Sequence, residues 1–254
     1  MRVSQAPMDR LHRSLDLVGC SVFLCDADGI IVDHRTSENE RADYEAAGLA
    51  NGADWSESVQ GTNGIGTCVA EARPVSIFRD QHFRSENIEM SCAGAPVFDE
   101  RGALAAVLDV SSCRGGVGAA LARLVGRAVE DAARQIEADH FEDYYADARI
   151  VRGRGDGSSG AVLFAVDADD LLIGATRAAR RAYRLGPELE AGAIAAADVL
   201  GDADRRGGGR EGAERRELRR AIARAQGNMS EAARLLGVSR ATLYRRARKL
   251  GLSV

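Results

Sequence analysis

Basic and acidic side chains are separated along this chain, and the division falls at Gly207-Gly208-Gly209. Residues 205–254 hold 14 basic and 4 acidic side chains, which gives this part a net charge of +10. Residues 1–204 hold 20 basic and 34 acidic side chains, a net charge of −14. The formal charge of the whole chain, −4, conceals this difference. We therefore expect an acidic body joined by a glycine linker to a basic tail whose partner is a nucleic acid.

The basic tail carries the pattern of three short helices. The apolar stripe of the first helix consists of Leu218, Ile222 and Ala225. Asn228, with Glu231 three residues later, is typical of a capping box, so a second helix is expected over residues 229–236. Ser239 is suited to cap a third helix over residues 240–250, since its hydroxyl can accept a backbone N–H. A short helix, a tight turn and a basic helix together predict a helix-turn-helix.

The third helix is expected to have an apolar side and a basic side. The core of the three helices is predicted to contain Ala232, Leu235, Leu236, Val238, Leu243, Ala247 and Leu250. The outward side is predicted to contain Arg240, Thr242, Tyr244, Arg245, Arg246, Arg248 and Lys249. No acidic residue follows Arg234, whereas a solvated helix face normally mixes both signs. Release of counterions from phosphates would drive DNA binding and make it steeply dependent on salt.

The segment from Gly227 to Arg245 resembles the helix-turn-helix of the Fis family. Two copies dimerise through their first helices in that family, so the resemblance implies a homodimer joined through Leu218 and Ile222 and a palindromic DNA site. It also implies that Arg240 reads a base edge, in particular that of a guanine. The residues assigned to DNA are Asn228, Ser230, Ser239, Arg240, Thr242, Tyr244, Arg245, Arg246 and Lys249. Phosphate contacts fall to those near helix N-termini, where N–H groups attract anions: Asn228, Ser230 and Thr242.

The first half of the chain is predicted as an α+β domain built on an antiparallel sheet. Strands are expected over residues 21–24, 30–32, 74–78, 91–98 and 103–111. Two Asp/Gly turns separate pairs of these runs and predict two β-hairpins. A helix is expected from Val117 to about Tyr145, with an apolar stripe of Leu121, Leu124, Val125, Ala128, Val129, Ala132 and Ile136. This long helix either pairs with its twin in a dimer or packs on its own sheet.

Six short motifs are spread over roughly residues 10–140. They are Trp55-Ser56-Glu57, Gly61-Thr62-Asn63-Gly64-Ile65-Gly66-Thr67, Arg73-Pro74-Val75, His82-Phe83, Ser91-Cys92-Ala93-Gly94-Ala95-Pro96-Val97-Phe98-Asp99 and Leu108-Asp109-Val110-Ser111. Together they resemble the GAF sensor of acetoin-catabolism-type activators, the AcoR-like group. The resemblance implies a GAF domain over residues 1–148 that binds a small, uncharged organic effector.

The candidate effector-binding residues are Trp55, Thr62, Asn63, Cys68, His82 and Cys92. Each also has a structural explanation, because the Gly/Asn motif can form a turn and a helix cap, and a lone histidine or tryptophan can belong to the core. Cys68 and Cys92 are expected as thiols of the core or of a pocket. The five cysteines form no Cys-x-x-Cys pair and the four histidines are scattered, so we expect no metal site, no cofactor and no catalytic residue.

Residues 149–204 are expected to form a linker region with a truncated PAS-like segment. Gly-rich stretches at 153–160 and 201–212 bound this segment. Between them the chain repeats a pattern found near its start, which is strand, acidic turn and strand. Residues 162–185 are similar to the opening of a PAS domain. A segment this short cannot bury a core of its own, so it must rest against a neighbour or be a remnant.

The AcoR-like activators carry a central ATPase whose phosphate loop ends in Gly-Lys-Ser/Thr. Lys249 is the single lysine here and lies in the third helix of the tail, so this sequence contains no such loop. No secretory signal and no membrane span are predicted, since the apolar runs are short, and we expect a cytoplasmic protein.

The function hypothesis is a dimeric, ligand-responsive transcription regulator without ATPase activity, and not an enzyme. It combines the GAF sensor, the PAS-like segment and a Fis-type reader over residues 205–254. Two alternatives stay open. The first is an interaction partner that forms a heterodimer with a full-length sigma-54-dependent activator and modulates it. The second is a GAF-type methionine sulfoxide reductase that uses cysteine thiolates.

Overall fold

The computed structural model divides into two compact units, Met1–Asp143 and Tyr144–Val254. The described residues are 2–113, 118–155, 160–186, 189, 194–200 and 210–252, with side chains left out at 16, 119 and 210–212. The two expected linkers, 153–160 and 201–212, lie partly outside these residues, and the expected helix start at Val117 lies wholly outside them. The finer division at residues 148 and 204 stays a prediction.

Five antiparallel strands form the sheet of the first unit, in the order β2-β1-β5-β4-β3. Their bounds are β1 Ser21–Asp26, β2 Ile31–Arg35, β3 Val75–Phe78, β4 Ser91–Phe98 and β5 Leu104–Ser112. The helices are α1 Gln5–Leu15, α2 Arg41–Ala46, α3 Glu57–Gln60, α4 Gly64–Glu71 and α5 Ala119–Tyr144, with short 3-10 helices at Arg2–Ser4, Asp16–Val18, Arg79–Gln81 and Ser85–Asn87. The predicted α+β class with an antiparallel sheet is confirmed.

Both hairpins of this sheet use the same aspartate turn. Asp26 Oδ1 accepts two backbone N–H groups of its turn at 3.0 and 2.9 Å, and Asp99 Oδ1 does the same at 2.9 and 2.8 Å. Gly29 and Gly102 follow with φ of +87° and +85°, a region that glycine adopts at little cost. The Asp/Gly spacing in the sequence therefore determines both hairpins locally.

Alternate residues of the strands divide the interior of the first unit into two cores. On β1, Val22 and Leu24 belong to one core, while Phe23 and Cys25 belong to the other. The first core lies between the sheet and the helices α1 and α5. The second core lies on the opposite face of the sheet, where α2, α4 and the loops between them cover it.

The long helix α5 packs on its own sheet, which is one of the two alternatives that its pattern left open. Its buried residues are Val125, Val129, Ala133, Ile136, Ala138 and Phe141. Leu124, assigned to the apolar stripe by its spacing, is 68% exposed, so that assignment is wrong. The buried stripe of α5 is narrower than the apolar pattern indicated, and it includes Ala133, which the pattern did not assign to it. Pairing of α5 in a dimer stays a prediction.

The second unit begins with a three-stranded antiparallel sheet in the order β6-β7-β8. The strands are β6 Arg149–Arg152, β7 Leu163–Val166 and β8 Leu172–Ala175, and the helices that follow are α6 Arg177–Tyr183 and α7 Ala196–Leu200. The expected order of strand, acidic turn, strand and helix is present. Asp167 Oδ1 accepts two backbone N–H groups of the turn, both at 2.9 Å, so this turn is built like the Asp26 turn.

Three helices complete the second unit as a helix-turn-helix, and their bounds are α8 Arg210–Arg224, α9 Met229–Leu235 and α10 Arg240–Lys249. Their buried core contains Leu218, Ala221, Ala225, Ala232, Ala233, Leu243, Ala247 and Leu252. The expected core position of Leu235 is wrong, because this side chain is 52% exposed. Ala232 and Ala233 form the buried side of α9. Leu235, the last residue of this helix, lies outside that buried side. None of the described helices has an apolar stretch long enough to cross a membrane.

Candidate DNA interface and effector region

Helix α10 presents the basic surface that the sequence predicts. Leu243 and Ala247 are fully buried, so the remaining sides of the helix face outward. The predicted DNA-binding residues of α10 are all exposed or half-buried: Arg240, Thr242, Tyr244, Arg245, Arg246 and Lys249. Arg246 pairs with Glu214 at 3.6 Å, whereas no acidic group of the described residues lies within ion-pair distance of the other basic members. Most of the positive charge of α10 is therefore available to phosphates.

Arg240 lies at the first residue of α10 and rests on an aromatic ring. Its guanidinium carbon is 5.6 Å from the centroid of the Tyr244 ring, and Nη2 lies 3.5 Å from the Tyr244 hydroxyl. A cation placed over an aromatic face is attracted by the ring quadrupole, so Tyr244 limits the orientations of the guanidinium. An outward guanidinium with few orientations is suited to a two-hydrogen-bond contact with a guanine edge.

Helices α9 and α10 begin at the side-chain caps that the sequence predicts. Asn228 Oδ1 accepts the backbone N–H groups of Ser230 and Glu231, in the first turn of α9, at 3.1 and 3.2 Å. Ser239 Oγ accepts the N–H of Thr242 at 3.1 Å and lies 2.9 Å from the Thr242 hydroxyl. Glu231 does not complete a capping box, because its carboxylate accepts from Arg234 at 2.6 Å. In this structure Asn228 and Ser239 serve as caps; the phosphate contacts of Asn228, Ser230 and Thr242 stay predictions.

The two residues expected at a dimer interface are used inside the chain. Leu218 is 1% exposed and belongs to the core of the three helices. Ile222 is half-buried and packs against the same core. A homodimer joined through α8 stays a prediction, and the partly exposed surface of Ile222 is the part of this pair that a second copy could reach directly.

In the first unit, four polar side chains form a buried row on the second core side of the sheet. His82 Nδ1 donates to the carbonyl oxygen of Arg79 at 2.9 Å, so its Nε2 is left to accept from the Cys92 thiol at 3.3 Å. Ser111 Oγ lies 3.1 Å from Cys92 Sγ and donates to Asp109 Oδ2 at 2.6 Å. Burial lowers the pKa of His82, which favours this neutral tautomer.

Asp109 ends this row and is a residue that sequence reasoning missed. It is fully buried, and its Oδ1 has no hydrogen-bond partner among the described residues. Desolvation raises its pKa to about 7, although the Ser111 hydrogen bond acts in the opposite direction. Gly64 lies so close that a Cβ there would come within 2.6 Å of Asp109 Oδ1. The sequence could have indicated this, because Asp109 is two residues from Val107 in an apolar strand. Residues two apart lie on the same face, so the carboxyl must face the interior with Val107.

Two of the predicted effector residues have their hydrogen-bonding groups occupied by the backbone. Asn63 Oδ1 accepts two N–H groups of α4 at 2.9 Å, and its Nδ2 donates to the carbonyls of Trp55 and Gly61 at 3.0 and 2.8 Å. Trp55 is 2% exposed and donates from Nε1 to the carbonyl of Gly48 at 2.9 Å. Thr62 is half-buried, and its carbonyl accepts from Phe83. The structure thus gives these residues supporting roles around α4.

Burial raises the pKa of all five cysteine thiols. Desolvation is the largest cause in each case, and it raises the pKa to about 11 for Cys20 and Cys113. The pKa is raised further for Cys25, Cys68 and Cys92, where the nearby Asp109 carboxyl adds to the effect. At neutral pH these groups are therefore thiols and not thiolates. No cluster of three or more metal-binding side chains occurs in the described part of the chain.

A cleft lies on the other face of the sheet, between the strands and α5. It is a shallow cleft that is partly open to solvent. Its lining consists of Cys20, Ser76, Phe78, Ser91, Cys92, Ala93, Val110, Ser112, Ala122 and Val125. None of these side chains carries a charge, and the buried Ser91 hydroxyl has no described partner. Of the six predicted effector residues, only Cys92 is among the lining residues, and its thiol belongs to the row on the opposite face of the sheet.

An antiparallel α+β domain joined to a basic, correctly capped helix-turn-helix defines a class of DNA-binding regulatory proteins. The GAF domain family matches residues 2–138, and the chain belongs to this family. Residues 209–253 match the family described as "Bacterial regulatory protein, Fis family". The two matches coincide with the sheet domain and with α8–α10, so both predicted resemblances are confirmed.

Among curated proteins, the chain is similar to transcriptional regulators of acetoin metabolism. It is 35% identical over 111 residues to the acetoin catabolism regulatory protein of Cupriavidus necator, which covers 44% of this chain. It is 32% identical over 106 residues to the acetoin dehydrogenase operon transcriptional activator AcoR of Bacillus subtilis, covering 41% of this chain. Each match spans 17% of the length of the relative.

Among solved structures, the E. coli DhaR(N)–DhaL complex aligns with a TM-score of 0.49 at 18% identity, over 73% of this chain and 64% of that one.

Proposed function

We propose that this protein is a bacterial transcription regulator that binds a palindromic DNA site as a cytoplasmic homodimer and responds to a small neutral molecule without ATPase activity of its own. The observation that carries the proposal is the surface of α10, which is capped by Ser239, exposed, and almost free of acidic partners. The family matches over the GAF and Fis-type parts support the same combination of roles.

The DNA-reading role divides between base contacts and phosphate contacts. Arg240, oriented by Tyr244, reads a base edge, and Arg245, Arg246 and Lys249 contact phosphates along the groove. Loss of a base contact changes sequence preference, whereas loss of a phosphate contact weakens binding to all sequences and reduces its salt dependence. The two kinds of residue can therefore be told apart by experiment.

The effector role is assigned to the first unit. The uncharged lining of the cleft at α5 favours a neutral ligand, because a buried charge without a partner is costly. The relatives named for acetoin catabolism support a short hydroxyketone or a related alcohol. Binding in the cleft would reach Ala122 and Val125 of α5, the helix that leads out of this unit. A ligand acts as a switch only if it binds two arrangements with different affinity.

The test of DNA binding is an electrophoretic mobility shift of the full chain on its selected DNA site, at graded salt. The Arg240→Ala variant should lose roughly tenfold to hundredfold in preference for that site over unrelated DNA. The matched control is Arg13→Ala, which removes the same charge from an exposed position of α1. Unchanged affinity and preference in Arg240→Ala would show that α10 does not read bases through this residue.

A heterodimer with a full-length sigma-54-dependent activator is the second candidate. The similarity of 111 and 106 residues of this chain to regulators of acetoin metabolism supports it, since related domains can pair with one another. Co-purification of the two proteins, with promoter control only in the presence of the activator, would favour it. The reductase alternative is disfavoured by the thiols, because a nucleophilic cysteine requires a lowered pKa and all five are raised.

A further inference from the structure

The turn between β7 and β8, which we call the acidic turn (residues 167–170), concentrates buried negative charge. Asp167 Oδ1 accepts the backbone N–H groups that stabilise the turn. The carboxylates of Asp169 and Asp170 are not needed for this and can contact other parts of the unit. Only 8% of the Asp169 side chain and 13% of the Asp170 side chain are exposed. Carboxylates buried to this extent need cations nearby, because desolvation of an unpaired charge is costly.

Helix α8 carries five arginines on the side opposite its core, and we call the four of them that contact acidic side chains the arginine face. Its members are Arg215, Arg219, Arg220 and Arg224. With 3.6 residues per turn, these positions share one half of the helix, whereas Leu218, Ala221 and Ala225 share the other half. The core half packs against α9 and α10. The arginine face is therefore free to contact another part of the unit.

The acidic turn and the arginine face meet through Asp169. Arg215 Nε lies 2.8 Å from Asp169 Oδ1, and Arg215 Nη2 donates to Asp169 Oδ2 at 3.3 Å. Arg219 Nε lies 3.3 Å from the same Oδ2, within ion-pair distance but without the geometry of a hydrogen bond. One buried carboxylate thus holds two turns of the helix, with Arg215 in the two-pronged geometry that suits a guanidinium.

Two further contacts extend the junction on either side. Asp170 accepts from Arg149 of β6 at 2.7 Å and from Arg220 of α8 at 3.4 Å. At the other end of α8, Arg224 Nε donates to Asp198 of α7 at 2.8 Å. The four arginines of the face are all engaged, and Asp170 links α8 to the strand that follows α5 in the chain.

The apolar interiors do not account for this junction. The core of the small sheet and the core of α8–α10 are separate clusters that share no residue. The expectation that this segment cannot bury a core of its own is wrong, because residues of its strands and helices form a separate buried cluster. The polar junction adds a contact with a neighbouring part of the unit.

We propose that the acidic turn, with Asp198, is a docking surface for the arginine face of α8 in the same chain. The PAS-like sheet of β6–β8 then holds the helix-turn-helix in a defined position. Docking through the side of α8 opposite its core leaves α10 unobstructed. It also pairs the four arginines with carboxylates, so they contribute little to the salt dependence of DNA binding. The small sheet thereby acquires a role as an adaptor between the chain leaving α5 and the helix-turn-helix.

The test is trypsin cleavage of the full chain after Arg219 and Arg220, because an arginine that is paired with a carboxylate of the acidic turn is withheld from the specificity pocket of trypsin. The Asp169→Asn/Asp170→Asn variant should be cut there about tenfold faster than wild type or more, since cleavage follows the population of the open form. Raising the salt should accelerate cleavage of wild type and leave the variant unchanged. Asp28→Asn is the matched control, because it occupies the same position in the Asp26 turn and is exposed there.

A charge exchange keeps the test decisive if the asparagine variant fails to fold, which loss of DNA binding would reveal. Asp169→Arg alone should be cut rapidly, and Asp169→Arg with Arg215→Asp should recover protection. Equal cleavage of wild type and all variants would overturn the proposal. Protection that falls on dilution would also overturn it, because the arginine face would then be held by a second copy. DNA binding by the docked wild type is measured separately, so failure of docking leaves the proposed function standing.

Discussion

Asp109 and Asp169 are both buried carboxylates, with 0% and 6% of their surface exposed, yet the two units accommodate them in opposite ways. Asp109 has one hydroxyl as a partner and an oxygen with none among the described residues, and its pKa rises to about 7. Asp169 is surrounded by the guanidinium groups of Arg215 and Arg219. The first unit favours the neutral form of its carboxyl, whereas the second supplies compensating charge.

This difference determines which variable each unit responds to. A group whose pKa changes on folding makes stability depend on pH. An ion pair with partly exposed arginines is screened by salt. The stability of the first unit should therefore fall as pH rises toward 7, whereas the second unit, where Arg224 lowers the pKa of Asp198, should lose stability at acidic pH and at high salt. Four substitutions test this contrast, in decreasing order of expected effect.

The largest effect is expected for Asp109→Asn as a function of pH. In wild type the folded pKa of about 7 lies above the unfolded value of 3.8. Between these values the unfolded chain loses its proton first, so the contribution of Asp109 to stability falls as pH rises and is lost above pH 7. The difference between the pKa of 3.8 in the unfolded chain and about 7 in the folded protein corresponds to about 4 kcal/mol in the free energy of unfolding. Denaturant unfolding at pH 4 to 8 should show Asp109→Asn gaining on wild type by about this amount.

Only the difference between variant and wild type tests this prediction, because other carboxylates change both proteins alike. Asp99→Asn is the matched comparison, since Asp99 lies in the turn that leads into β5 and is half-exposed. A pH-independent difference between Asp109→Asn and wild type would mean that Asp109 is ionised in the folded protein, and the contrast with Asp169 would disappear.

The second effect is expected for Asp169→Asn, which leaves Arg215 and Arg219 without their shared carboxylate. Loss of one partner of a buried ion pair costs about 3–5 kcal/mol, and we expect about 2 kcal/mol here because the arginines are 45% and 41% exposed. The loss should shrink as salt is raised from 0.05 to 0.5 M in thermal unfolding of the second unit's transition. A loss that does not change with salt would indicate a packing role for Asp169.

The third effect is expected for Ser111→Ala, which removes the hydroxyl that donates to Asp109. A hydrogen bond to a carboxylate stabilises its charged form, so the pKa of Asp109 should rise further, with a loss of about 1–2 kcal/mol above pH 7. Ser14→Ala serves as the control, because that hydroxyl donates only to a carbonyl within α1. If the pH at which the contribution of Asp109 is lost does not change in Ser111→Ala, the Ser111 hydroxyl does not affect the pKa of Asp109.

The smallest effect is expected for Arg149→Gln. Asp170 keeps Arg220 as a partner when Arg149 is replaced, and Arg149 is 32% exposed, so the loss should be about 0.5–1 kcal/mol. Thermal unfolding at low salt measures it. A loss as large as that of Asp169→Asn would show that Asp170, and not Asp169, is the centre of the junction.

Features that depend on neighbouring residues could be predicted from the sequence. The caps at Asn228 and Ser239 and the turns at Asp26 and Asp99 each involve side chains that bond to backbone groups a few residues away. Residue type and spacing suffice for such contacts. The same reasoning failed at Leu124, where spacing placed an exposed residue on a buried side. A helical stripe shows that a side is apolar, but the packing partner decides its width.

By itself, the sequence determined the separation of charge, the α+β and helix-turn-helix classes, and the exposed basic face of α10, because these follow from local pattern and composition. Tertiary structure alone decided that Asp109 and Ser111 of β5 continue in one row with Cys92 of β4 and His82 of the preceding loop. It alone decided that the acidic turn meets α8, some 46 residues further along the chain. Contacts over such separations depend on how the elements pack, and packing is a property of the whole fold.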